Sequence, residues 1–377
     1  MSNFFQDFKD NLIEQYFKCQ AYKFLCDSQG FNPSINLNSE ADIEKVPFVA
    51  TTLFKKSAEM FTNLLRVPLD VIDKWTLSSS TSGDPSMVGR RKCDIMKIKE
   101  FDDLNKKMYK SFGDQSCVFF PEPEVMRKYK SKVVCGKSTE SYIGNILDVS
   151  DLKGNAIFLV NPDEDNLIVD IDKFKLFLET HNGLEDNISI CGSTPLLFDS
   201  INILKKTMKP LTLGKNVLVS TFGGGWDGKK GTVSIGTNIK RQDFVENLSS
   251  FLGIPEDNFI DSYSFTENTF PITGHYSKEY KDYLFHVPEW GRMIIRDIKT
   301  LKPLYNPGDR GFIQMLNAYG TTTFAGASVL VDDIGEIVSI SECPECKTKL
   351  MTIKIIGRIR GAEAKGCGAT LNVRSEK

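Results

Sequence analysis

Asn216-Val217-Leu218-Val219-Ser220-Thr221-Phe222-Gly223-Gly224-Gly225-Trp226 is the stretch on which the reading of this chain turns. A short apolar run bounded by turn residues reads as a buried strand, and this one passes directly into three glycines. A glycine-rich turn at the end of a parallel strand is where open α/β sheets take up nucleotides, because the backbone there can approach a flat or anionic ligand closely. Gly224, Gly225 and Trp226 are therefore candidates for a nucleotide edge, with Trp226 packing beside a base. A tight strand-to-helix turn holding a core tryptophan accounts for the same residues.

Upstream, short apolar segments alternate with helical patterns from about residue 155. Ala156 to Val160, Ile168 to Leu178, Ile188 to Cys191, Pro195 to Leu204 and Asn216 to Ser220 follow one another, which predicts an α/β domain with a mainly parallel sheet. Residues 282–340 are strand-rich, with turns expected at 306–309 and 332–335. At the other end, Phe4, Phe8, Leu12, Ile13, Tyr16 and Phe17 recur at three- and four-residue spacing, which predicts one amphipathic helix over 3–26. A short extended segment follows at 46–50, then a helical pattern over 53–65 and a polar loop over 76–89.

The chain has 377 residues, enough for one large domain or about two ordinary ones. A net charge of −2 gives no basic field to draw in nucleic acid or anionic lipid. No run of about 18 apolar residues suggests a membrane span. The opening residues carry acidic groups and no apolar core of a signal peptide, and the nine cysteines are odd in number, so reduced thiols and a cytoplasmic setting are expected. Oligomeric state is not legible.

Ser78-Ser79-Ser80-Thr81-Ser82-Gly83-Asp84-Pro85-Ser86 offers a row of hydroxyls closed by Gly-x-Pro, suited to wrapping phosphates. A solvated serine-rich loop has the same composition, and the Gly-Lys-Ser/Thr of a P-loop is absent. Asp261-Ser262-Tyr263-Ser264-Phe265-Thr266-Glu267 sets an aromatic, a hydroxyl and a carboxylate at a spacing that serves a base, a phosphate and Mg²⁺, although a polar loop would look alike. Cys343-Pro344-Glu345-Cys346 supplies two of the four ligands a structural zinc takes. No second Cys-x-x-Cys or His-x-His follows, so a plain turn is expected and Zn²⁺ is the alternative.

In order and spacing, these motifs resemble the adenylate-forming superfamily of acyl-CoA ligases, peptide-synthetase adenylation domains and luciferases. The Ser78–Ser86 stretch is similar to its Thr-Ser-Gly-Thr-Thr-Gly-x-Pro phosphate loop, with Ser80 where glycine is usual; the Asp261–Glu267 stretch is similar to Tyr-Gly-x-Thr-Glu, with Ser264 in place of glycine. Asp333 in Val331-Asp332-Asp333-Ile334-Gly335 resembles the ribose-binding aspartate, and Arg358 in Ile356-Gly357-Arg358 resembles the hinge arginine. The series Phe285-His286-Val287-Pro288-Glu289-Trp290, Gly308-Asp309-Arg310-Gly311, Cys343-Pro344-Glu345-Cys346 and Lys365-Gly366-Cys367 narrows the likeness to the acyl-protein synthetase subunit of the bacterial luminescence fatty-acid reductase complex. The resemblance covers about residues 75 to 371.

That resemblance implies an adenylate-forming large-domain fold, with mixed β-sheets flanked by helices and without the usual C-terminal small domain. Residues 1–356 would form the adenylation domain and 357–377 a flexible tail bearing the acyl-acceptor cysteine. It implies ATP and Mg²⁺ as cofactors, a fatty acid as substrate and an acyl-reductase protein as partner. Ser79, Thr81, Ser82 and Gly83 would hold the phosphates and Glu267 the Mg²⁺. Gly224, Gly225, Trp226 and Tyr263 would frame adenine, Asp333 and Arg358 would hold the ribose, and Thr266 would lie near the α-phosphate. Cys367, between two glycines that free the backbone, would be the acyl acceptor. His286 would polarise the acyl carbonyl or deprotonate Cys367, or else serve as a structural histidine. The competing readings are an acyl- or aryl-CoA ligase using free CoA, and a non-catalytic acyl- or nucleotide-binding module.

Overall fold

The segments that read as strands pair into one large sheet. The computed structural model describes residues 3–55, 58–78, 85–109, 113–129, 131–134, 136–150, 152, 156–163, 166–226, 229–230, 233–234 and 238–358. Ser79, Thr81, Ser82, Gly83, Cys367 and the expected tail beyond 358 lie outside the described residues, and Arg358 is described only through its backbone.

The sheet contains β1 (Val49–Ala50), β2 (Gln115–Phe119), β3 (Ala156–Phe158), β4 (Ile188–Gly192), β5 (Leu218–Phe222), β6 (Phe259–Tyr263), β7 (Ile272–Ser277), β8 (Asp282–His286), β9 (Gly291–Arg296), β10 (Pro303–Leu304), β11 (Arg310–Asn317), β12 (Ser328–Ser339) and β13 (Thr352–Arg358). Their spatial order is β10-β9-β11-β12-β13-β8-β7-β6-β5-β4-β2-β3, with β1 beside β12. Strands β3, β2, β4, β5 and β6 run parallel. From β6 to β10 every neighbouring pair is antiparallel. The expected mainly parallel sheet is thus five of the thirteen strands.

Connection length explains the change. A parallel return needs a crossover, and β3 to β6 are joined through the helices Ile171–His181, Thr194–Leu204 and Arg241–Leu252. Each buries a stripe at helical spacing, such as Phe174, Phe177 and Leu178 in the first. Asp170 caps that helix by accepting from the Lys173 N–H, and Gly253, at φ 67°, ends the last one. Between β7 and β8 only a short turn remains, closed through Lys281 at φ 52°, so that pair must be antiparallel.

Three local expectations are corrected. The N-terminal helix is two, Phe4–Lys18 and Gln20–Ser28, because Cys19 is extended and buries its thiol against the Asn63 carbonyl. Phe4, Phe8, Leu12 and Tyr16 are buried as the periodicity demands, while Phe17 is exposed. The 53–65 pattern splits into a 3₁₀ turn at Thr51–Phe54 and a helix at Ala58–Asn63. Residues 332–335 are no turn: they lie inside β12, where the register against β13 slips between Ile334 and Gly335. A bulge with glycine carries the same local signal as a turn.

The polar loop is also shorter than 76–89. Lys74–Leu77 and Met87–Arg90 form an antiparallel hairpin, so the loop proper is 78–86. Its base is pinned twice: the Ser78 N–H donates to the Ser86 carbonyl at 2.8 Å, and the Ser86 N–H donates to Ser78 Oγ at 2.8 Å.

Candidate active site

Beyond the C-terminal ends of β5 and β6 lies a cavity of about 410 Å³. It is lined by Gly223 to Trp226 after β5, by Asp261 to Glu267 along and after β6, by Asp332 and Asp333 of β12, and by Ser78 at the base of the hydroxyl loop. Three of the expected motifs therefore converge on one space, and the fourth reaches it through Ser78.

The glycine turn has the conformation that only glycine adopts freely. Gly223, Gly224 and Gly225 stand at φ 87°, 71° and 93°, a run of left-handed residues that any side chain would oppose by about 1–2 kcal/mol each. The turn delivers Trp226 to the cavity wall. Its indole N–H donates to Asp261 Oδ2 at 3.1 Å, and its ring packs edge-on against Phe244 with centroids 5.2 Å apart. The Arg241 guanidinium lies 5.5 Å from the indole centroid and pairs with Asp282 at 2.8 Å. Thr221 Oγ1 donates to Asp261 Oδ1 at 2.8 Å. Burial pushes the Asp261 carboxyl up to about 6, against the opposing pull of Arg241, Thr221 and Trp226.

Tyr263 and Asp333, expected to serve the base and the ribose, touch each other: the tyrosine hydroxyl donates to Asp333 Oδ2 at 2.7 Å. Asp333 stands opposite Arg358 in the β12–β13 register. Ser264, which occupies the position where the resembling motif has glycine, hydrogen-bonds the Tyr142 hydroxyl at 2.8 Å. Thr266 and Glu267 are buried, and Glu267 Oε1 has no hydrogen-bond partner among the described residues. A buried carboxylate oxygen without a partner is costly, and a hard cation with oxygen ligands would satisfy it. The residues present thus fit Mg²⁺.

Arg90 ties these parts together. It is fully buried at the end of the hairpin that carries the hydroxyl loop, and its Nη2 donates to the carbonyls of Thr266 at 2.7 Å and Asn268 at 3.0 Å. Burial pushes its guanidinium down, while Tyr142, Asp94 and Glu267 pull the other way.

A second, narrower space of about 90 Å³ adjoins the first and shares Tyr142, Ile143, Gly223, Ser262 and Ser264 with it. Its wall mixes Ile146, Leu147, Leu152, Phe222 and Phe270 with polar side chains such as Asp102, Asn105 and Lys106, and is proportionally richer in apolar surface than the large cavity.

His286, Cys343 and Cys346 stand apart from both. Phe285 lines the large cavity, and the strand alternation turns the next residue, His286, to the opposite face. There Tyr109 Oη lies 2.8 Å from its Nδ1, and Cys346 Sγ lies 3.5 Å from its Nε2. Burial, and after it the neighbouring His275, hold His286 down to about 4, so its imidazole is neutral near pH 7.

Sequence reasoning passed over Arg90, Asp261 and Tyr142 as site residues. Arg90 sits in the basic run just after the polar loop, and Tyr142 in a segment with no motif. Asp261 alone had a signal, as a carboxylate at the end of an apolar strand beside the Tyr263 motif.

The fold is that of adenylate-forming ligases. The chain belongs to the acyl-protein synthetase family, LuxE, whose family model matches residues 2–375. That family makes the chain a ligase that acts on acyl groups. Among solved structures it is similar to 2-hydroxyisobutyryl-CoA ligase in the postadenylation state with R3-HIB-AMP, at 15% identity and TM-score 0.64, covering 96% of this chain and 69% of that one. The same ligase with 2-HIB-AMP and CoA in its thioesterification state matches at 16% identity and TM-score 0.64, covering 94% and 67%. At these identities the likeness shows the fold alone. No curated protein matches the chain. Among the described residues, no helix is long and apolar enough to cross a membrane.

Proposed function

We propose that this chain activates a fatty acid with ATP and then carries the acyl group as a thioester on Cys367. The observation that carries the reading is Glu267: a buried carboxylate oxygen without a partner among the described residues, in the wall of a cavity that joins a narrower and more apolar one.

In the first step a carboxylate oxygen of the acid attacks the α-phosphorus of ATP and pyrophosphate leaves. Ser79, Thr81, Ser82 and Gly83 hold the phosphates, Thr266 lies near the α-phosphate, and Gly224 to Trp226 with Tyr263 border the base. Asp333 and Arg358 hold the ribose. Bound Mg²⁺ would neutralise phosphate charge beside Glu267. The acyl chain lies in the narrower space, with Tyr142 and Ser264 at its junction with the nucleotide cavity. Catalysis here comes mainly from positioning and from stabilising negative charge.

In the second step the Cys367 thiolate attacks the acyl carbon of the mixed anhydride, a C–S bond forms, and AMP leaves with the electron pair of the broken C–O bond. An acyl reductase would then accept the thioester. In this reading His286, which contacts Tyr109 and Cys346, keeps the structural role.

The test is ATP–pyrophosphate exchange with a panel of straight-chain fatty acids. Exchange that depends on both acid and Mg²⁺ supports the reading. ATP binding without exchange for any acid returns the chain to a binding module, and product found only on added CoA returns it to a CoA ligase.

A further inference from the structure

The sharp turn between β12 and β13 brings together groups that the nucleotide cavity does not use. A ring nitrogen of His275 and the thiols of Cys343 and Cys346 all lie within 4.8 Å of one another. Cys346 Sγ is also 3.5 Å from Nε2 of His286. Tetrahedral zinc, with bonds of about 2.3 Å to sulfur and about 2.1 Å to nitrogen, sets its ligands roughly 3.4–3.8 Å apart. We propose that His275, His286, Cys343 and Cys346 form a four-ligand structural Zn²⁺ site.

The strands prepare the two histidines. His275 of β7 faces Leu284 of β8, so His286 is its diagonal neighbour on the same face, and their ring centroids are 5.1 Å apart. His275 Nε2 is buried without a hydrogen-bond partner; the Glu345 carboxylate, 3.8 Å away, is a charge partner only when the ring is protonated. His286 presents Nε2 to the cysteines while its Nδ1 contacts Tyr109 Oη at 2.8 Å. With a metal on Nε2, Nδ1 keeps the proton and donates it to the tyrosine oxygen, the outer contact that orients a ligating histidine.

The Cys343–Cys346 turn is shaped for the other two ligands. Cys343 is buried. The Cys343 N–H donates to the Thr348 carbonyl at 2.8 Å. Lys347 is forced to φ 61° as the chain turns back, a strain of about 1–2 kcal/mol that a bound ion would offset. Four protein ligands leave no open position for water, so the ion has no Lewis-acid role here. It would staple the 340–351 segment to β7 and β8. That fixes the start of β13, the strand that sets Arg358 opposite Asp333.

The assignment stands apart from the acyl chemistry and is read without it. The untagged full chain, purified without added metal, should hold about one zinc per chain by elemental mass spectrometry. Removing the ion with a chelator should lower the melting temperature and open the 340–351 segment to protease. A Cys343→Ser, Cys346→Ser chain should hold none. Because that variant can fail to fold, Co²⁺ added to the reduced, metal-free natural chain provides an independent readout. Thiolate-to-cobalt charge-transfer bands with tetrahedral d–d intensity are expected, and His286→Asn should weaken the d–d bands while leaving the thiolate bands in place. A folded, reduced chain that copurifies without zinc and gives no cobalt–thiolate band overturns the assignment. So does unchanged cobalt d–d intensity in both His275→Asn and His286→Asn, which would remove the histidines from the ligand set.

Discussion

Arg90 Nη2 donates to the carbonyl oxygen of Thr266 at 2.7 Å. Through this bond the hairpin that ends in the hydroxyl loop holds the turn that ends in Glu267. Two motifs separated by well over a hundred residues are thereby fixed at one cavity, although neither contains the residue that joins them.

Replacing Arg90 should therefore cost both stability and activity. Arg90→Met leaves two buried carbonyls, those of Thr266 and Asn268, without their donor, at about 1–3 kcal/mol each. Urea unfolding should show a loss of roughly 2–6 kcal/mol, and pyrophosphate exchange should fall with it. Arg90→Lys, with one donor point in place of a planar fork, should recover only part of either.

Glu267→Gln should behave differently. Its Oε1 makes no hydrogen bond among the described residues, so the neutral amide costs little stability. A ligand that stabilises charge in the reaction is lost, and exchange should fall by roughly 10²–10³-fold. A melting temperature within a degree or two of the natural chain, alongside that loss, is the expected pattern; a large drop in stability would make Glu267 a structural residue instead.

Tyr263→Phe removes the hydroxyl bonded to Asp333 at 2.7 Å. A hydrogen bond to a charged group is worth about 1.5–3 kcal/mol, so kcat/KM for ATP should fall at least about tenfold. The acid's own KM should be nearly unchanged, because Tyr263 lines the large cavity and not the narrower one.

Asp261 gives a pH signature. Burial raises its carboxyl from an ordinary 3.8 to about 6. Below the lower value both folded and unfolded chains are protonated there and the group adds no slope. Between the two values the unfolded chain has released the proton and the folded chain keeps it, so stability falls as pH rises and levels off above about 6. The full excursion is about 3 kcal/mol. Asp261→Asn can still accept from Trp226 and has no proton to release, so its stability should change less between pH 4 and pH 6.5. Parallel curves for the two chains, measured by urea titration, would contradict the assignment.

Much of this architecture was legible in the sequence because its signals are local. The β5 strand and its three glycines, the crossover helices and the strand-rich second half each follow from periodicity and breakers within a dozen residues. What escaped was long-range. The switch from parallel to antiparallel pairing depends on connection lengths weighed together. Asp332-Asp333-Ile334-Gly335 read as a turn because a bulge inside a strand uses the same residues. Cys343 and Cys346 looked like half a site because a search downstream finds no partner, whereas His275 and His286 come from strands that precede them. Arg90 was invisible for the same reason: its partners are carbonyl oxygens, which no side-chain pattern reveals.

The central claim is that the activated acid passes to Cys367, and intact mass spectrometry of the protein tests it most directly. After incubation with ATP, Mg²⁺ and a fatty acid, the chain should gain the mass of one acyl group. That gain should be removed by hydroxylamine and absent in Cys367→Ser, which should still carry out pyrophosphate exchange. An unmodified chain that nevertheless releases pyrophosphate and acyl-AMP, or an acyl group retained in Cys367→Ser, would contradict it.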